Sequence, residues 1–159
     1  MILAALLAAA ACAATPVHGE PLPQSGSLSM LRWVQATPRR AGIVGVLFAY
    51  DARLQTAAEP PTLALWSGGT APPPNQFAMK ILWIVRNVHA SGTLTVRGRE
   101  LGGTRTFHAQ FQRVFDASAQ PAKGAEYASI VNVPAPGCWR LDVSTGGARG
   151  SLVARVVQP

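Results

Sequence analysis

The chain has 159 residues, of which 48% are hydrophobic and only 13% are charged, and it contains 15 glycines and 13 prolines. This composition disfavours long helices and favours many short strands joined by turns. Fourteen Lys and Arg residues against seven Asp and Glu give a net charge of +7, which favours anionic partners such as lipid headgroups or phosphate-bearing wall polymers. The basic residues are scattered, with Arg39-Arg40 as the only adjacent pair. Nucleic acid is therefore not an expected partner, because it requires a clustered basic stripe.

The first segment of the chain, residues 1–14, reads MILAALLAAAACAA without interruption by a polar residue. It is shorter than the roughly 20 residues that a membrane-spanning helix needs, and it matches the apolar core of a signal peptide. The sequence therefore predicts an export leader over residues 1–14, and an exported protein.

Three outcomes are open for this leader. Cys12 follows three small residues as in a lipobox, which would make Cys12 the lipidation site and hold the protein at the outer face of the cell membrane. Alternatively, Ala11-Cys12-Ala13 is an A-x-A cleavage site, the cysteine is lost and the protein is secreted. In the third outcome the segment is retained as an N-terminal anchor. The following residues, 15–42, are rich in Pro, Gly and Ser and predict a flexible, mostly unpacked tether.

From residue 43 onward, apolar runs of strand length alternate with turn signals. KILWIVR at Lys80–Arg86 is apolar on both faces, which predicts a central strand. Regularly spaced short strands predict an all-β domain over residues 43–159, a two-sheet antiparallel sandwich of immunoglobulin-like or related topology. About eight strands are expected, at 43–50, 62–66, 79–86, 92–98, 104–112, 127–133, 138–145 and 151–157.

Several of these strands alternate between apolar and polar residues, so each should have one face buried in the core, the dry face, and one face exposed to solvent, the wet face. The dry faces contain Leu94 and Val96 in one strand, Phe107, Ala109 and Phe111 in the next, and Trp139, Leu141 and Val143 in a third. Arg97, Arg99, His108, Arg140 and Asp142 fall on the wet faces. The last two strands, separated by a Gly-rich turn, predict an antiparallel hairpin.

Two motifs, KILWIVR at Lys80–Arg86 and the PxPGCW segment at Pro134–Trp139, resemble a group of uncharacterised exported bacterial β-sandwich proteins that are regarded as lipoproteins. The likeness spans about residues 43–157 and is most specific at the PxPGCW segment, where the C-terminal strand begins. The resemblance implies a β-sandwich in the cell envelope. It implies no mechanism, because the group has no established activity.

Cys138 and Trp66 are the two single residues of interest in the mature chain. Cys138 lies in an apolar strand with no base beside it in sequence, which favours a buried structural thiol. An intermolecular disulfide and a nucleophilic role are the alternatives. Trp66 borders the loop SGGTAPPPNQ and is the tryptophan expected to be exposed, where it could contact a ligand.

No catalytic, metal or cofactor motif is present. His18, His89 and His108 are scattered and lack metal-ligand spacing, and the acids are too isolated for a paired-carboxylate site. A Ser-His-Asp set such as Ser91, His108 and Asp142 could form only if the fold brings distant residues together. The sequence predicts no catalytic residue, no metal and no cofactor.

These observations favour a non-enzymatic binding or structural module of the cell envelope with an unknown envelope partner. The alternatives are a hydrolase with a distributed active site and a carrier of small ligands or lipids. A filled core would favour the binding module, an open cleft with convergent polar groups the enzyme, and a large apolar cavity the carrier.

Overall fold

In the computed structural model of the chain, residues 12–20, 31–48, 61–69, 80–86, 92–114 and 124–159 are described. They form ten strands and a single turn of 3-10 helix at Arg39–Ala41, and they contain no α-helix. The strands are β1 (Val17–His18), β2 (Arg32–Gln35), β3 (Ile43–Leu47), β4 (Ala64–Trp66), β5 (Lys80–Val85), β6 (Thr93–Glu100), β7 (Thr106–Gln112), β8 (Ala125–Ile130), β9 (Gly137–Thr145) and β10 (Ala148–Val157).

The strands make two five-stranded sheets. The first sheet has the order β1-β2-β3-β5-β8, is antiparallel throughout and curls like half a barrel. The second sheet has the order β4-β10-β9-β6-β7 and is antiparallel except for the parallel pair β4–β10. The all-β prediction is confirmed and each of the eight expected strands overlaps an observed one. The count of eight is wrong, because β1 and β2 come from the segment that was expected to be a tether.

The described parts of that segment are packed, so the prediction of an unpacked stretch over residues 15–42 is wrong there. Val34 and Ala36 are completely or almost completely buried. The backbone of Thr15 donates to the carbonyl of Val153 on β10 at 2.8 Å, and Thr37 exchanges two hydrogen bonds with Ser151. The physical reason is that one edge of β10 needs hydrogen-bond partners, and these residues supply them.

The main core contains buried side chains from both sheets. Trp83 of β5, Tyr127 of β8 and Trp139 of β9 are its largest fully buried residues. The indole nitrogen of Trp83 donates to Ser129 Oγ at 2.8 Å, and that of Trp139 donates to the Ala135 carbonyl at 3.0 Å. Because both buried N–H groups have acceptors, the core contains large aromatic rings without the cost of an unpaired donor.

Strand β5 is buried on both faces, which confirms the expectation from KILWIVR. Ile81, Trp83 and Val85 belong to the main core, whereas Ile84 belongs to a second apolar cluster with Val44 and Val46 of β3. Strands β3 and β8 flank β5 within its sheet. A central strand covered on both sides can carry a continuous apolar run, because neither face meets water.

The expected alternation and the expected hairpin are confirmed in the second sheet. Residues of β6 and β9 alternate between buried and exposed positions, and β9 pairs with β10 in an antiparallel hairpin whose two-residue turn is Gly146-Gly147. Within this sheet Gly98 of β6 faces Phe107 of β7. A Cβ atom at residue 98 would overlap the Phe107 ring, which itself lies against Trp139 with ring centroids 5.8 Å apart.

We expect Gly98→Ala to destabilise the protein by about 1–3 kcal/mol, because the added methyl group forces the Phe107 ring away from Trp139. Gly92→Ala is the matched control, since no atom lies within 4 Å of a Cβ built there. Urea denaturation of both variants measures the difference. Equal midpoints for the two variants would contradict the tight packing at residue 98.

A disulfide joins Cys12 to Cys138 at the start of β9, with an S–S distance of 2.05 Å and Cα atoms 5.5 Å apart. The prediction of a free buried thiol at Cys138 is therefore wrong, and the described residues contain no free cysteine. The cause is the pairing of the N-terminal segment with β10. Strand β10 places Arg155 opposite Cys138, and Cys12 Sγ lies 3.7 Å from the neighbouring Ala154 carbonyl.

The disulfide spans 126 residues of sequence, so it greatly restricts the unfolded chain. We expect the double variant Cys12→Ala, Cys138→Ala to lose about 2–5 kcal/mol of stability. Denaturation with and without a reductant measures the effect. The wild type should fall to the stability of the double variant when reduced, while the variant itself should not respond. A reductant-insensitive wild type would show that the bond does not form.

Candidate functional site

The outer face of the second sheet carries a group of arginines. Alternation points Arg97 and Arg99 of β6, Arg140 of β9 and Arg149 of β10 away from the core, and all four are exposed. We call these four residues the basic face. Their inward neighbours are the buried core residues of the same strands, so the apolar alternation that forms the sheet also collects the arginines on one surface.

Strand register brings the basic face together from three adjacent strands. Arg99 lies directly opposite Arg140, and Arg97 lies directly opposite Asp142. Like charges directly opposite one another on antiparallel strands are unfavourable, so the first pair is a local excess of positive charge. Asp142 offsets part of it, because its Oδ1 accepts a hydrogen bond from Arg140 Nε at 2.8 Å. The face as a whole keeps four guanidinium groups against one carboxylate.

A second acid on β6, Glu100, does not neutralise the basic face. Glu100, at the end of β6, is held by Arg105, whose Nε and Nη2 donate to its two carboxylate oxygens at 2.8 and 2.6 Å. These hydrogen bonds lower the pKa of the Glu100 carboxyl below its ordinary value and raise the pKa of Arg105. Glu100 is therefore ionised and already paired at neutral pH.

A cavity of about 490 Å³ opens on the basic face, where Thr37 and Pro38 rise beside β10. The backbone pairing of Thr37 with Ser151 fixes this rim against the sheet. Its lining is mainly polar and consists of Thr37, Pro38, Arg97, Arg140, Asp142, Val143, Ser144, Arg149, Gly150 and Ser151. A second, more open depression shares Arg97 and Asp142 and extends past His108 of β7.

The site residues expected from the sequence are not part of this cavity. Trp66 is only 8% exposed and belongs to the main core. Its expected exposure is wrong, because β4 runs along the end of β10 and directs the ring inward. Cys12 lies in the disulfide, where its sulfur cannot carry a thioether-linked lipid at the same time. Residues 1–11 lie outside the described residues, so the leader stays a prediction.

Of the Ser-His-Asp set, only His108 and Asp142 are described, and they do not lie on adjacent strands. His108 and Asp142 lie on the same face of alternate strands, with Arg97 between them in register, and alternate strands are about 9–10 Å apart. Ser91 and His89 lie outside the described residues.

His18 stacks on Trp33 with ring centroids 4.1 Å apart. Within the described ranges, no three His, Cys, Asp or Glu residues lie close enough to hold a metal ion.

Sequence reasoning missed the basic face as a unit. The alternation assigned Arg97, Arg99 and Arg140 to wet faces of separate strands, but the scattered spacing of the arginines concealed their proximity. The signal that could have found them is the repeated placement of Arg at outward positions of β6, β9 and β10.

Comparison with protein-family models, with curated proteins and with solved structures gives no match to this chain. The resemblance to the exported PxPGCW group therefore stays a prediction. No helix in the described part of the chain is long and apolar enough to cross a membrane.

Proposed function

We propose that this protein is an exported, non-enzymatic binding module of the cell envelope that holds a phosphate-bearing polymer on its basic face. The observation that carries the proposal is the grouping of four exposed guanidinium groups on three adjacent strands around a single carboxylate. Guanidinium groups bind phosphate in a planar, bidentate geometry that ammonium groups cannot reproduce. A row of them on a rigid sheet suits an extended anionic chain better than a single small anion.

The chemistry of the basic face agrees with binding rather than catalysis. Arginine stays protonated at any physiological pH and cannot act as a general base. The single acid, Asp142, is engaged by Arg140. The interior agrees as well, because the buried aromatic residues Trp83, Tyr127 and Trp139 occupy the space that a lipid carrier would need to leave open.

The disulfide supports the proposal of export, because structural disulfides persist in oxidising compartments outside the cytoplasm. It argues against lipidation at Cys12 and equally against cleavage after Ala13, since Cys12 must be both unlipidated and retained to bond to Cys138. We therefore propose a secreted form that is cleaved before Cys12. We extend the proposal to the fold: the two sheets pack as a sandwich of immunoglobulin-like or related topology. The buried hydrogen bond of 2.9 Å between Tyr127 of the first sheet and Thr145 of the second supports this arrangement.

We expect the wild-type protein to bind a resin that bears polyphosphate and to elute with increasing sodium chloride, because salt screens contacts between exposed charges. The double variant Arg99→Gln, Arg149→Gln should elute at a clearly lower salt concentration. The matched control is Arg40→Gln, Lys80→Gln, which removes the same charge from exposed positions outside the basic face. Equal shifts for the two double variants would show that net charge alone governs binding.

We expect the protein exported by a bacterial host to keep Cys12 and to contain no free thiol. Intact mass and N-terminal sequencing of the secreted and membrane fractions measure this. A mass lower by two hydrogen atoms per chain than that of the reduced protein identifies the disulfide. An acyl group on Cys12, or a mature chain that begins after it, would contradict this form of the proposal.

A further inference from the structure

The cavity on the basic face has two chemically different ends, fixed by the register of β9 and β10. Ser144 lies directly opposite Arg149, and Asp142 lies directly opposite Ser151. Successive outward residues of one strand are about 6.5–7 Å apart. The Ser144–Arg149 pair and the Asp142 carboxylate are therefore neighbours at a distance that one small molecule can span.

The first end presents hydrogen-bond donors that have no acceptor among the described residues. Arg149 and Ser144 make no hydrogen bond or ion pair through their side chains with any other residue that the structure describes. The Ser144 side chain is partly buried in the cavity. A guanidinium group together with a hydroxyl matches the several acceptor oxygens of one phosphate group.

The second end presents an acceptor, the Asp142 carboxylate, which lies opposite Ser151 on one side and Arg97 on the other. Oδ1 of Asp142 is held by Arg140, whereas Oδ2 has no partner among the described residues. A carboxylate oxygen accepts hydrogen bonds and repels phosphate oxygens. This end of the cavity therefore suits a hydroxyl group, and the phosphate belongs at the other end.

The size of the cavity indicates that the ligand is larger than a phosphate ion. Its volume of about 490 Å³ is many times the roughly 30 Å³ that a water molecule occupies in the liquid. We infer that the cavity binds a polyol phosphate, with the phosphate on Arg149 and the Ser144 hydroxyl and a neighbouring hydroxyl of the polyol on Asp142. This inference rests on the proposed function and names the repeating unit that the basic face would recognise.

Calorimetric titration of the full, disulfide-bonded protein at constant ionic strength tests this with three probes: glucose 6-phosphate, inorganic phosphate and glucose. Glucose 6-phosphate should bind about ten- to a hundredfold more tightly than inorganic phosphate, because it adds a hydrogen bond to a charged acceptor. Glucose alone should show no binding. Equal affinity for glucose 6-phosphate and inorganic phosphate would overturn the inference.

Single substitutions test the contribution of each end of the cavity to binding. Asp142→Ala should abolish the preference for glucose 6-phosphate while leaving the affinity for inorganic phosphate unchanged or increased. Arg149→Lys keeps the charge but loses the bidentate geometry, so it should weaken the binding of both phosphate probes. Arg40→Lys, which is exposed and lies outside both the basic face and the cavity lining, is the matched control and should change the affinity for neither phosphate probe. A preference that survives Asp142→Ala would overturn the inference.

Two further outcomes distinguish this inference from the proposed function. Retention on the polyphosphate resin without binding of glucose 6-phosphate would overturn the inference and leave the proposed function standing. Binding of glucose 6-phosphate without retention on the resin would overturn the proposed function alone. Phosphatidylglycerol vesicles test a lipid source for the phosphate: if they bind and glucose 6-phosphate does not displace them, a lipid surface is the ligand and the inference is wrong.

Discussion

The outer edge of β10 is the constraint on which the rest of the structure depends. At Ser151, Val153, Arg155 and Val157, backbone groups point away from β9 and need partners. Three separate segments provide them: Thr37 pairs with Ser151, Thr15 with Val153, and the stretch from Leu63 to Ser67 with Arg155 and Val157. The N-terminal residues are thus structural, since without them a ten-residue strand would expose half of one edge. The same pairing brings Cys12 to Cys138 and places Pro38 at the rim of the cavity.

The basic face follows from the position of β6, β9 and β10 in the middle of the second sheet. Their inner residues must be apolar because they cover Trp83 and Tyr127 of the other sheet. Their outer residues are free to be polar, and the sheet holds them at fixed spacings. Binding groups on a rigid sheet lose little conformational freedom when a ligand arrives, which favours affinity. The candidate site therefore lies on the three inner strands of a sheet, which are hydrogen-bonded on both sides, rather than on a loop.

Local patterns in the sequence were sufficient to predict most strands and the direction of their side chains. The alternation in β6, β7 and β9 and the two-sided burial of β5 are local properties, and each was predicted correctly. The pairing partners were not predictable in this way, because strand order is decided by contacts between residues far apart in sequence. The Pro- and Gly-rich composition around Thr15 and Thr37 predicted a tether. The pairing of these residues left no periodic pattern in the sequence, because it involves only a few residues. The disulfide and the clustering of Arg97, Arg140 and Arg149 could not be predicted either, because both follow from the strand order.

The pairing of the first described residues with the last strand has a kinetic consequence. Thr15 and Val153 are 138 residues apart in sequence, so their contact closes a very long loop. Contacts of this kind slow folding, because the entropy of closing a very long loop is lost before the contact forms. The N-terminal segment also leaves the ribosome long before β10 exists. The nascent chain therefore cannot form this part of its fold until β10 has been synthesised.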